Sequence, residues 1–343
     1  IIADGMGGAI IVWEDPRVGA DVYAQRVDGG GTVMWDPDGV EVCIAAYDQL
    51  NPALVSDGAE GAIVTWQDYR NNAHYDIYAQ RIDGGGGVMW APDGEPLCMN
   101  DGDQEEPVIT TDMVGGGIIT WLDARTDTND VYAQRVDDLG NPVWQTDGEP
   151  ICTVPNEEDR VHIVSDLNGG AIIAWQDHRT GVFLNYDIYA QRVDGSGTIM
   201  WTANGEAICT ATQQQFPADM LTDGQGGAFI VWQDNRAVSG YDIYVQRISG
   251  LGFPQWTGNG QAVSTPMGDQ NFPKLTSDGA DGVLISWSDY RSGSFDIYAR
   301  RVDVTGLPRW TADGVEVCGA AYGQFGPQIV SDGAGGALIA WYD

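Results

Sequence analysis

An all-β fold of repeated, four-stranded antiparallel sheets is predicted by three observations. Seven near-identical segments end in tryptophan, at Trp13, Trp66, Trp121, Trp175, Trp232, Trp287 and Trp341, with spacings of 53, 55, 54, 57, 55 and 54 residues. Each copy contains short apolar, β-branched runs separated by Asp-Gly and Gly-Gly turns. No stretch carries a helical period. A repeat just above 50 residues, built of strands and tight turns, is one blade of a β-propeller.

The second copy shows the elements in order. Pro52–Asp57 is strand A, and Asp57 to Gly61 is a tight turn. Ala62–Trp66 is strand B, whose unbroken apolar run predicts burial on both faces. Asp76–Asp83 is strand C, with Ile77 and Ala79 on one face and Tyr78 and Ile82 on the other. Gly84 to Gly87 turn the chain, and Val88–Trp90 with Glu95–Cys98 form an irregular outer strand D. All 13 tryptophans fall at two repeat positions, which makes them wedges for blade packing. Residues 1–15 match residues 329–343, so six complete repeats are followed by part of a seventh. Seven blades is the preferred count and six the alternative. Residues 1–343 are expected to form a single domain, part of a longer protein because the chain opens in mid-repeat at Ile1.

Composition narrows the partners. The net charge is −34 and Lys274 is the only lysine, which argues against nucleic acid and anionic membranes. No run of 18 apolar residues spans a membrane. Cys43, Cys98, Cys152, Cys209 and Cys318 share one repeat position. Such positions lie ~10 Å apart across packed sheets, beyond the ~7 Å Cα separation that a disulfide tolerates. They are expected to be buried thiols.

The blade pattern W-x-D-x-R…D-I-Y-A-Q-R-V-D…W…D-G…S-D-G-x-G-G resembles repeats of secreted bacterial β-propeller proteins of unassigned function. The resemblance covers the whole chain and implies an extracellular or cell-surface module. A looser similarity connects the turn Ser56-Asp57-Gly58-Ala59-Glu60-Gly61, with Trp66 five residues on, to the Asp-box propellers that include sialidases. Its spacing departs from S-x-D-x-G-x-T-W.

Candidate sites lie where the copies differ. The W-x-D-x-R arginines (Arg17, Arg70, Arg125, Arg179, Arg236 and Arg291) and the strand-C arginines recur in all six complete copies. Pairing with the repeated aspartates is the expected role, and a ring gripping a carboxylate is the functional alternative. The B–C loop grows from a four-residue step from Arg17 to Asp21 to an eight-residue step from Arg179 to Asp187, and the D–A loops also vary. With alternating strand directions both loop sets emerge on one face. Phe183 and Leu184 in the longest B–C loop, and Tyr47 and Tyr322 in two D–A loops, are the binding-face candidates. Asp101, Asp103, Glu105 and Glu106 form an acidic loop beside Gly102 that could supply oxygen ligands to Ca²⁺. Motifs for zinc proteases, serine hydrolases and nucleotide binding are absent.

The expected function is a non-catalytic binding or structural module outside the cell. It would take a protein or a glycan on the B–C/D–A face and self-associate through the C-terminal hairpin, whose strand Ala337–Trp341 has no strand C. The alternative is a glycan-active enzyme of sialidase-like architecture.

Overall fold

The computed structural model describes residues 1–17, 19–126, 128–182, 184–237 and 240–343. The chain is all-β and belongs to the β-propeller class, with six four-stranded antiparallel sheets and one two-stranded sheet. Blade one comprises β1 (Ile2–Ala3), β2 (Ala9–Asp15), β3 (Asp21–Val27) and β4 (Val40–Cys43). Blade two comprises β5 (Gln49–Ser56), β6 (Ala62–Asp68), β7 (Asp76–Ile82) and β8 (Glu95–Cys98). Blade three is β9 (Gln104–Thr111), β10 (Gly117–Asp123), β11 (Asp130–Val136) and β12 (Glu149–Cys152). Blade four is β13 (Glu158–Ser165), β14 (Ala171–Asp177), β15 (Asp187–Val193) and β16 (Glu206–Cys209). Blade five is β17 (Gln215–Thr222), β18 (Ala228–Asp234), β19 (Asp242–Ile248) and β20 (Gln261–Ser264). Blade six is β21 (Gln270–Ser277), β22 (Val283–Asp289), β23 (Asp296–Val302) and β24 (Val315–Cys318). The seventh sheet is β25 (Phe325–Ser331) with β26 (Ala337–Tyr342).

The residues group into two compact units, 1–173 with 193–204, and 174–192 with 205–343. Each has its own core between successive blades. In the first, Val22, Val42 and Cys43 of blade one pack on Val64 and Trp66 of blade two. Ile77 and Leu97 likewise meet Ile119 and Trp121 of blade three. In the second, Val231, Val245 and Val263 of blade five face Ile285 and Trp287 of blade six. The strand-B tryptophan is thus the wedge that the repeat predicts, and Trp66, Trp121, Trp232 and Trp287 are fully buried.

Strand A starts earlier than its apolar run, at Gln49, because a bulge between Leu50 and Ala53 lets Asn51 adopt a left-handed φ of 53°. Val88 makes only an isolated bridge to Ile82, so β8 proper is Glu95–Cys98. The repeated Asp-Gly before that strand has a steric cause. Gly94 sits at φ +88°, and a Cβ there would lie 2.5 Å from the Trp66 ring. Gly94→Ala is expected to cost about 1–3 kcal/mol from backbone strain, with the ring clash added. Urea unfolding checks this.

Candidate functional site

A polar knot closes the B–C end of every complete blade. Asp68 accepts from Trp66 Nε1 (2.8 Å), Arg70 Nε (2.9 Å) and Arg70 Nη2 (2.6 Å). The Arg70 guanidinium lies 3.7 Å over the Tyr78 ring and donates to the Asp93 carbonyl at 2.7 Å. The same bidentate pairing joins Arg17 to Asp15, Arg125 to Asp123, Arg179 to Asp177, Arg236 to Asp234 and Arg291 to Asp289. These arginines hold the blade and leave no fork for a carboxylate ligand. All five cysteines are free thiols, and burial pushes Cys43, Cys98 and Cys209 up to about 12.

A second aspartate opens strand C directly opposite the first, as in the Asp68–Asp76 register pair. Burial raises Asp76, Asp187 and Asp242 from 3.8 to about 6. A carboxyl whose folded pKa is raised contributes stability below its unfolded value and loses it as pH rises through the folded one. Stability from these three groups is therefore present below about pH 3.8 and lost through about pH 6. Asp76→Asn/Asp187→Asn/Asp242→Asn should gain on the parent chain as pH rises from 4.5 to 7. Urea unfolding at the two pH values measures this.

What covers this aspartate differs between blades. Asn71 Nδ2 donates to Asp76 at 2.8 Å and His74 Nδ1 lies 3.3 Å from it. Thr126 Oγ1 caps Asp130 at 2.8 Å, and Ser292 Oγ caps Asp296 at 2.5 Å. Among the described residues nothing donates to the carboxyls of Asp187 and Asp242, nor to that of Asp21 beside the short loop of blade one. Instead Asp21 lines a pocket of about 400 Å³ with Tyr23, Glu41, Ile44 and Tyr47, within the volume range of ligand sites. Burial, then the charges of Asp15, Glu41 and Asp93, raise the Asp21 carboxyl above its ordinary value. Glu41 stands across the sheet from Tyr23, whose hydroxyl is 3.5 Å from Glu41 Oε1. Asp21 and Tyr23 share a face, ~7 Å apart along the strand. Opposite the equivalent tyrosines lie Pro96, Pro150, Ala207 and Ala262, and only blade six repeats the acid, as Glu316.

The sequence candidates are scattered. Tyr47 is on the pocket wall, 54% exposed and edge-on to Tyr69 at 6.4 Å. Tyr322, in the matching loop of blade six, is also exposed. Leu184 is exposed, and Phe183 lies outside the described residues. In the acidic loop, Asp103 Oδ1 accepts the Tyr75 backbone N–H at 3.0 Å. Burial and the charges of Asp103 and Glu106 raise Glu105. Among the described residues, Asp101, Asp103, Glu105 and Glu106 bring no three ligand oxygens to one point.

Residue-type reasoning missed Asp21 and Glu41 as a pair. It also missed an aromatic row in the second unit. His178 stacks on Tyr186 at 4.1 Å, Tyr186 meets Phe216 at 6.2 Å, and Phe216 meets Tyr241 at 5.6 Å. These residues sit beside the knot, before β15 and β19 and at the start of β17, on the variable-loop side.

No protein-family model matches the chain, and no curated protein matches it in sequence. Solved structures do match. Puromycin hydrolase is 13% identical with a TM-score of 0.54, covering 97% of this chain and 48% of its own. The chain thus spans about half the length of that enzyme. Polysaccharide lyase Uly1 is 11% identical with a TM-score of 0.49, covering 90% of this chain and 86% of its own. The α-L-arabinanase of Penicillium chrysogenum is 13% identical with a TM-score of 0.47, covering 84% and 86%. At these identities the likeness establishes the fold. It also corrects an expectation: puromycin hydrolase is an enzyme by name, so the non-catalytic module is set aside.

Proposed function

We propose that the chain is a glycan-active hydrolase whose active site is the blade-one pocket. One observation carries this reading: Asp21, buried and uncapped, faces the pocket with a second carboxylate, Glu41, one pleat away. Glycosidic hydrolysis uses two carboxyl groups, one as acid and one as base, and burial raises the Asp21 carboxyl. Asp21 would donate its proton to the leaving glycosidic oxygen. Glu41 would take the proton of the attacking water. Tyr47 offers a ring face for a sugar, and Tyr23 positions Glu41. The net charge of −34 and the engaged arginines favour neutral over anionic sugars. An extracellular or cell-surface setting accords with the acidic composition and the resemblance to secreted repeats.

The test is release of reducing ends from neutral arabino-, xylo-, manno- and gluco-oligosaccharides. The parent chain should release them from at least one series, and Asp21→Asn and Glu41→Gln should not. No release from any series by a folded parent chain contradicts the reading.

A further inference from the structure

The aromatic row of the second unit carries amide groups along its edge. His178, Tyr186, Phe216 and Tyr241 follow one another at centroid steps of 4.1, 6.2 and 5.6 Å. All four side chains are partly exposed, so each ring keeps some contact with solvent.

The repeat does not impose this row. Three repeat positions build it: the third residue after the strand-B tryptophan, the residue before strand C, and the second residue of the next strand A. From blade one into blade two these positions hold Pro16, Ala20 and Leu50, and from blade three into blade four Ala124, Asn129 and Asp159. A ring needed by the scaffold would recur in every copy, as the strand-B tryptophan does.

The loop beside the row has also lost its charge. Immediately before strand A stand Asp48, Asp103, Glu157 and Asp269 in blades two, three, four and six, but Gln214 in blade five. Gln214 Oε1 accepts the Tyr241 hydroxyl at 2.8 Å. Its Nε2 makes no hydrogen bond among the described residues. Gln213 is exposed and gives its backbone N–H to Asn185 Oδ1 at 3.1 Å, while its side-chain amide likewise makes no hydrogen bond among the described residues. At the Tyr241 end, Asp269 is engaged by the Tyr241 backbone N–H at 3.1 Å. Blade six has rings at the same three positions, Tyr290, Phe295 and Phe325, but Gly323 stands where the amide would be.

We propose that the row is a binding platform for a neutral oligosaccharide. The C–H faces of sugars pack on the rings of Tyr186, Phe216 and Tyr241, whose spacing is that of successive sugars in a chain. Sugar hydroxyls accept from and donate to the side-chain amides of Gln213 and Gln214. Charge favours the neutral class. A cationic ligand would want the acid that Gln214 replaces, and an anionic one meets a chain of net charge −34. The platform uses none of the blade-one residues, so binding and hydrolysis are tested separately.

The probes are xylo-, manno-, gluco- and arabinohexaose, titrated calorimetrically into the whole Asp21→Asn chain, with amide hydrogen exchange followed alongside. At least one series should bind saturably and slow exchange over residues 210–217. Phe216→Leu/Tyr241→Leu keeps apolar bulk without the rings and should weaken that binding about tenfold or more, the scale of losing a hot-spot ring. Gln213→Ala/Gln214→Ala leaves every ring in place and should weaken it about fivefold or more at an unchanged melting temperature. The amide variant decides the matter if the ring variant fails to fold. No binding in any series, binding with unchanged exchange over 210–217, parent affinity in the amide variant, or equal affinity for oligogalacturonate of the same length overturns the proposal. Binding at 210–217 without hydrolysis by the parent chain would contradict the blade-one reading alone. Hydrolysis with unchanged exchange there would contradict the platform alone.

Discussion

Trp66→Ala is expected to lower the stability by about 3–5 kcal/mol, at the upper end of large-to-small core changes. The ring is fully buried between blades one and two, among Val22, Val42, Val64 and Tyr78. Its removal does more than open a cavity. Trp66 Nε1 is a hydrogen-bond donor to Asp68, a carboxylate with no solvent exposure. The truncated chain keeps that charge buried with one donor fewer. The ring also lies against Gly94, so the turn into β8 loses its packing partner. Trp66→Phe refills most of the volume and restores no donor, which separates the two contributions. Urea unfolding of the parent chain and both variants measures them. A loss below about 1 kcal/mol for Trp66→Ala would contradict the wedge role.

Asp21→Asn is the second large effect. Removing a positioned general acid typically costs 10²–10⁴-fold in rate, and that range is expected for kcat/KM on the responsive oligosaccharide. The amide matches the carboxyl in shape, so the blade should survive. The neutral substitute also removes a raised carboxyl from a pocket that holds Glu41 and adjoins Asp15, so stability at pH 7 should hold or rise. An activity loss with unchanged or higher melting temperature therefore distinguishes chemistry from unfolding. Glu41→Gln should lose activity too, and Tyr23→Phe should change it less, since Tyr23 acts through Glu41.

Most of the fold was legible because the repeat states it seven times. Unbroken apolar runs marked strand B, and the alternation of D-I-Y-A-Q-R-V marked strand C. The start of strand A was not legible. Gln49 is polar yet fully buried, and the bulge at Asn51 breaks the two-residue period on which a strand is recognised. The irregular strand D was anticipated, but the length of its regular part depends on where the tryptophan wedge lets the chain pair.

The candidate site was harder to see for a physical reason. Asp21 is one of six aspartates at the same repeat position, and identity across copies reads as scaffold. What sets it apart is the pairing of an uncapped carboxyl with a nearby acid: Asn71 and His74, Thr126, and Ser292 stand over three equivalents, while Asp187 and Asp242, also uncapped among the described residues, have alanine and not glutamate opposite the strand-C tyrosine. The short run from Arg17 to Asp21 was visible, but its consequence appears only when the loops are laid over the strands. Glu41 carried a fainter signal. Blade one reads Val-Glu-Val-Cys where blade two reads Glu-Pro-Leu-Cys, and this one-residue shift moves the acid to the position opposite the strand-C tyrosine. The aromatic row escaped because its members come from three different repeat positions. No single copy contains it.

Blade six supplies an internal control for the central claim. It carries the same acids at the same register, Asp296 and Glu316, with Tyr322 in the matching loop, but Ser292 caps Asp296. The most direct measurement is the rate of oligosaccharide hydrolysis by Asp21→Asn and Asp296→Asn side by side with the parent chain. The uncapped pocket predicts that Asp21→Asn loses at least about 100-fold while Asp296→Asn keeps the parent rate. Equal loss in both variants, or no loss in Asp21→Asn, would contradict it.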